Sequence, residues 1–161
     1  MLRGKNVMLR ILFIVTMSSS FAMADTITFT LSSGDHLIGL TLPTNPTPDS
    51  VGPYYFTLND VPFTLDGTPQ LARIVNFFEG SAGGGLGICD YTNCPLVDLF
   101  GPQLFSGSLD SPTLLPGNYV LTDAGDGFIP GDFQTVVSVP EPSSILLLAS
   151  GALAFVRRSR K

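Results

Sequence analysis

Tryptophan is absent from the 161 residues, histidine occurs once and cysteine twice. With His36 alone there is no second imidazole, so histidine-rich metal centres are excluded and any Ser-His-Asp triad would have to use this residue. Its neighbours Asp35, Ser32 and Ser33 share a segment that reads as a β-turn, where adjacent residues rarely reach triad geometry. A solvated turn histidine is the simpler expectation. Positive charge is nearly missing from the body of the chain: Arg73 alone stands against twelve acids over 25–139, a formal charge of −11. Such a domain repels phosphates and anionic lipid heads, which argues against nucleic acid and against peripheral membrane binding through the domain. Long helices are excluded too, because the same stretch holds fifteen glycines and eleven prolines with no suitable gap between them.

Between those breakers lie short runs of alternating polarity. Ile27, Phe29 and Leu31 alternate with Thr26, Thr28 and Thr30, and Ile38, Leu40 and Leu42 share one face. Tyr54, Phe56 and Leu58 are followed by Val61, Phe63 and Leu65, and Leu71 to Phe78 is apolar on both faces, as a central strand would be. Leu96 to Phe100, Tyr119 to Thr122 and Phe133 to Val139 complete the set. Period-two runs separated by turn signals predict one all-β domain over 25–139, an antiparallel sandwich or a barrel. The length suits one domain and not two.

The remaining basic residues sit at the ends. Arg3, Lys5 and Arg10 precede the apolar run Ile11–Met17, and Ala22-Met23-Ala24 offers the small-x-small triplet that signal peptidase requires. Residues 1–24 therefore read as a secretory signal helix, delivered to the Sec translocon and cut between Ala24 and Asp25; Met8 is a second candidate start. At the other end, Pro140-Glu141-Pro142 is followed by fourteen uncharged residues, 143–156, and then by Arg157, Arg158, Arg160 and Lys161. As a helix this segment spans about 21 Å against a hydrocarbon core of about 30 Å. It is a short membrane anchor, with the bases held on the cytoplasmic side and the domain outside.

The Pro-Glu-Pro motif, short hydrophobic helix and Arg-rich end over 139–161 resemble the PEP-CTERM sorting signal of Gram-negative bacteria. The resemblance implies an exosortase partner, a membrane-embedded cysteine protease or transpeptidase that removes the tail near the motif. It also implies export across the inner membrane to the surface or medium of a bacterium that makes exopolysaccharide. It implies no biochemical activity, because such tails are joined to many unrelated domains. Residues 101–122, with Gly101-Pro102-Gln103, Ser111-Pro112-Thr113 and Pro116-Gly117-Asn118-Tyr119, resemble a β-module common ahead of these tails; two turns and a strand would look the same.

Candidate chemistry in the domain is sparse. Cys89 and Cys94 in an exported chain predict a disulfide, stabilising by about 2 kcal/mol at most through so short a loop. Gly80 to Gly87 lacks the Lys-Ser/Thr of a phosphate loop and the dinucleotide spacing, and reads as a mobile loop. Asp123, Asp126 and Asp132 offer oxygen ligands for Ca²⁺, but without EF-hand spacing, and their Asp-Gly pairs are ordinary turns. The other acids leave a hydrolase with an unmarked carboxylate pair open. Tyr54 or Tyr55, Tyr91 and Tyr119 are candidates for stacking on sugars. Thr26, Thr28 and Thr30 form one row, where an ice-matching surface needs many. A non-enzymatic surface or matrix protein touching exopolysaccharide is the leading expectation, with no resident cofactor, and a carbohydrate- or calcium-binding module is the alternative.

Overall fold

The threonine-alternating run after Ala24 becomes β1 (Thr26–Ser33), which turns at Gly34 into β2 (His36–Pro43). Their inward residues Ile27, Phe29, Leu31, Ile38, Leu40 and Leu42 are all buried, as period-two alternation requires. The structure, a computed structural model, describes residues 25–140. The expected signal helix with Ala22 and Ala24, the rest of the sorting segment with Glu141 and Pro142, and the bases Arg157 to Lys161 lie outside the described residues. Among those described, no helix is long and apolar enough to cross a membrane.

The remaining strands are β3 (Ser50–Val51), β4 (Tyr55–Leu65), β5 (Thr68–Phe78), β6 (Leu86–Asp90), β7 (Val97–Phe100), β8 (Phe105–Ser108), β9 (Ser111–Leu114), β10 (Gly117–Asp123) and β11 (Phe133–Ser138). Around the main sheet the order is β2-β1-β11-β10-β7-β6-β5-β4, and β4 pairs again with β2 through Ile38–Leu65, Gly39–Thr64 and Leu40–Phe63. An eight-stranded antiparallel barrel results. Of the two expected architectures, sandwich and barrel, the closed one forms, so these eight strands leave no free sheet edge. Eight strands enclose a space that side chains can fill. Phe29, Phe56, Phe77 and Phe133 fill it, Phe77 lying stacked on Phe56 at 5.0 Å and edge-on to Phe29 at 5.7 Å.

Closure depends on one irregular level of the β4–β5 hairpin. Along β4 the buried residues change phase, from Phe56 and Leu58 to Val61 and Phe63; along β5 they change from Ala72 to Val75 and Phe77. The switch falls at Asp60, whose φ is +51°, and at Arg73, where the β5–β6 register shifts between Ala72 and Ile74. The upper half of the hairpin pairs with β6 and the lower half with β2, and both halves face the interior only because the phase changes. The two-faced apolar run over 71–78 is thus not a strand buried on both sides: Leu71 is exposed, and only Ala72, Val75 and Phe77 enter the core.

Two other expectations change. The glycine-rich 80–87 stretch is packed: after a 3₁₀ turn (Gly80–Ala82), residues Gly84 to Ile88 are buried and β6 begins at Leu86. At Gly85, φ is +84° and a Cβ would stand 2.0 Å from the Leu99 carbonyl oxygen, so backbone meets backbone there. The module over 101–122 holds an extra hairpin, β8–β9, whose Phe105 and Leu114 are buried. Phe105 packs edge-on to Phe56 at 5.0 Å, and the Leu114 N–H donates to the Thr44 carbonyl at 2.8 Å. The hairpin therefore roofs one end of the barrel.

Candidate functional site

The sorting motif starts where the barrel stops. β11 is paired with β1 as far as Ser138 opposite Thr28, so only Val139 separates the last paired residue from Pro140. Pro140 is exposed at the end of the barrel that the β8–β9 hairpin roofs. Asp25 lies at the same end, because β1 runs antiparallel to β11, and its carbonyl already accepts the Thr44 N–H at 2.7 Å.

The strand directions sort the acids between the two ends. Asp25, Asp49, Glu79 and Asp110 lie at the end where the chain leaves. Asp35, Asp66, Asp90, Asp98, Asp123, Asp126 and Asp132 lie in the turns and strand ends of the other. The barrel wall between is almost free of charge.

At that far end the acids are mostly tied to backbone. Asp123 accepts the Gly125 N–H at 3.0 Å and the Gly131 N–H at 2.9 Å, and Asp132 accepts the Asp123 N–H at 3.2 Å. Those bonds, Gly131 first, hold the Asp123 carboxyl below its usual pKa. Among the described residues no group of three His, Cys, Asp or Glu side chains is disposed to hold a metal ion, so Asp123, Asp126 and Asp132 are not gathered into a calcium cage.

Asp98, on β7, behaves differently. Its Oδ1 is buried without a partner, and burial, then repulsion from Asp126 and Asp123, raises its pKa. The folded state therefore holds this proton to a higher pH than the unfolded chain does, and stability from this group falls as pH rises through the carboxylate range. Asp98→Asn should accordingly stabilise the domain at neutral pH, by no more than about 1 kcal/mol where solvent still screens the charge. Urea midpoints of the two proteins should converge as the pH is lowered; an unchanged gap would remove Asp98 as the cause.

His36 does not meet Asp35 or a serine. Its Nδ1 lies 3.0 Å from Asp66 Oδ2, while Asp66 Oδ1 accepts the Leu37 N–H at 2.7 Å and Ser32 Oγ donates to the Gln134 carbonyl. The Leu37 N–H first, and then His36, hold the Asp66 carboxyl below its usual value. The pair ties the β1–β2 turn to the β4–β5 turn where the barrel closes; no serine–histidine arrangement forms around it.

The tyrosines separate clearly. Tyr55 packs edge-on to Phe78 at 6.1 Å, and Tyr119 lies against the core with its hydroxyl donating to the Leu115 carbonyl at 3.2 Å. Tyr54 and Tyr91 are exposed, Tyr91 at 65 %. The Cys89–Cys94 disulfide is formed and closes the β6–β7 loop that carries Tyr91. Within this loop Asp90 accepts the backbone N–H groups of Thr92 and Asn93. Tyr91 reaches out of it to donate its hydroxyl to Asp60 Oδ1 at 2.5 Å, and that bond raises the phenol pKa. Arg73, the one cation of the domain, sits opposite Asp60 at the irregular level of the hairpin, near enough to act on Tyr91 in the opposite sense. Sequence reasoning missed this trio, since Asp60 and Tyr91 are 31 positions apart; the available signal was the phase change around Asp60.

The threonine row of β1 stays half-buried on the outer wall and touches β2 through Thr28 and Thr41, 3.1 Å apart.

Residues 138–161 match the family model of the PEP-CTERM protein-sorting motif. The match begins on the last residue of β11, so barrel and sorting signal are contiguous. Neither the curated proteins nor the solved structures contain a match to the chain. Residues 138–161 thus carry a PEP-CTERM sorting motif, which indicates export and sorting to the cell surface with exosortase as the processing partner.

Proposed function

We propose that this exosortase-sorted chain is a non-enzymatic protein of the cell surface or extracellular matrix that associates with exopolysaccharide through Tyr91, Asp60 and Arg73. Residues 1–24 are its signal peptide, taken by the Sec translocon and removed before Asp25, and 143–156 its temporary anchor in the inner membrane of a Gram-negative cell. A start at Asp25 is compatible with the barrel, because its carbonyl accepts the Thr44 N–H and β1 begins at the next residue.

The observation that carries the saccharide reading is the exposed Tyr91 ring. Its hydroxyl is fixed by Asp60, on a loop held by a disulfide, so the ring is pre-ordered at little further entropic cost. An exposed, oriented aromatic face suits the apolar face of a sugar ring, and an adjacent carboxylate and guanidinium supply an acceptor and donors for hydroxyl groups. The positive φ of Asp60 and the register shift beside Arg73 put both residues at the one irregular level of the hairpin, below the Tyr91 loop.

Processed protein should co-sediment with exopolysaccharide from its own producing strain. Tyr91→Ala should cut the bound fraction several-fold while leaving thermal unfolding nearly unchanged, because the side chain is exposed. Absence of binding by the wild type would end the proposal; binding that ignores Tyr91 would move the contact elsewhere.

A further inference from the structure

We infer that the hairpin-roofed end of the barrel is the surface held against the membrane during sorting, and that the acidic end, with the disulfide loop, points outward. The inference rests on the sorting of the chain through 138–161, and it adds the orientation that sorting imposes on the folded domain.

Leash length is the first ground. Four residues, 139–142, separate the last paired residue Ser138 from the uncharged segment beginning at Ser143. Fully extended they reach at most about 14 Å. The eight residues of β1 span about 26 Å along their strand. A leash shorter than the strands works against inverting the domain so that its far end faces a membrane that holds the segment after Pro142. It keeps the rim formed by Asp25, the 44–49 loop and the β8–β9 hairpin close to the surface.

Both ends of the described chain leave from this rim on neighbouring strands, β1 and β11. Attachment at either side therefore presents the same end. Charge agrees with this placement: four acids lie on the rim, whereas seven lie at the far end, and each acid brought near anionic head groups costs repulsion within a Debye length of about 8 Å. The β8–β9 hairpin is thus the part of the domain lying between the core and the bilayer.

The test places a single extra cysteine at the exposed turn of that hairpin, Asp110→Cys, or in the far acidic turn, Asp126→Cys. Membranes from a host lacking exosortase hold the unprocessed form, and released protein from a host containing it provides the free domain. Both are labelled with a bulky PEG-maleimide. Asp126→Cys should label equally fast in both forms; Asp110→Cys should label several-fold more slowly in the membrane form and recover after release. Ser50→Cys, on β3 at the same end, should follow Asp110→Cys, which guards against a local effect of the hairpin variant. Equal labelling at the two ends in a membrane-bound precursor overturns the orientation and leaves sorting intact. A precursor that never pellets with membranes overturns the sorting premise and the orientation with it.

Discussion

Replacing Glu141 by alanine is expected to stop removal of the tail and to leave the full-length protein in the membrane fraction. Pro140 and Pro142 have no N–H to donate and disfavour helix in the residues before them, so the motif is predisposed to an extended strip. Glu141 is the one charged residue between Asp132 and Arg157, which makes it the feature on that strip a protease can select. Substitution leaves the following fourteen apolar and small residues unchanged, so insertion should persist while cutting fails. Neutralising Arg157, Arg158, Arg160 and Lys161 should act the other way. Drawing one such base to the membrane centre costs about 2.5–3.5 kcal/mol, and four of them form a stop on the order of 10 kcal/mol. Without it, unprocessed protein should escape outward. Intact mass and fractionation of both variants, with and without exosortase, distinguish the cases. A wild type that keeps its tail beside an active exosortase would show the segment to be a permanent anchor.

Phe77→Ala should be among the most damaging single changes in the barrel. The ring is fully buried and joins three walls, from β5 to Phe56 on β4 and Phe29 on β1. Truncating such a phenylalanine removes its transfer energy and leaves a cavity, about 3–5 kcal/mol together. Against a total stability of about 5–15 kcal/mol this is a large share, and the melting temperature should fall by roughly 15 °C or more. Phe128→Ala, on a residue 68 % exposed, should stay within about 0.5 kcal/mol of wild type. Equal losses in the two variants, measured by urea or thermal unfolding, would contradict the placement of the core.

How much of this was written in the sequence depends on how local the cause is. The strands carrying Ile27-Phe29-Leu31 and Ile38-Leu40-Leu42 follow from alternation alone, since side chains at every second position share a face whatever the partner strand is. The sorting signal is equally local: a proline-flanked acid, an apolar run and terminal bases act by their order along the chain. The disulfide required only two cysteines close in sequence and an oxidising destination.

What the sequence alone left open were the properties that need two distant segments to meet. Sandwich and barrel share the same alternation, and only the pairing of Ile38, Gly39 and Leu40 with Leu65, Thr64 and Phe63 selects closure. The glycines at 84 and 85 look like flexible chain until the backbones of Gly101 and Leu99 are seen against them. Asp60 and Tyr91 become neighbours only because the hairpin twists at one level and the disulfide holds the next loop above it. By itself the sequence determined the strongly alternating strands, the export and the tail, because each is encoded in the order of neighbouring residues. Tertiary structure decided the closure, the Tyr91 patch and the end of the barrel from which the sorting segment leaves, because each depends on which strand ends are brought together in space.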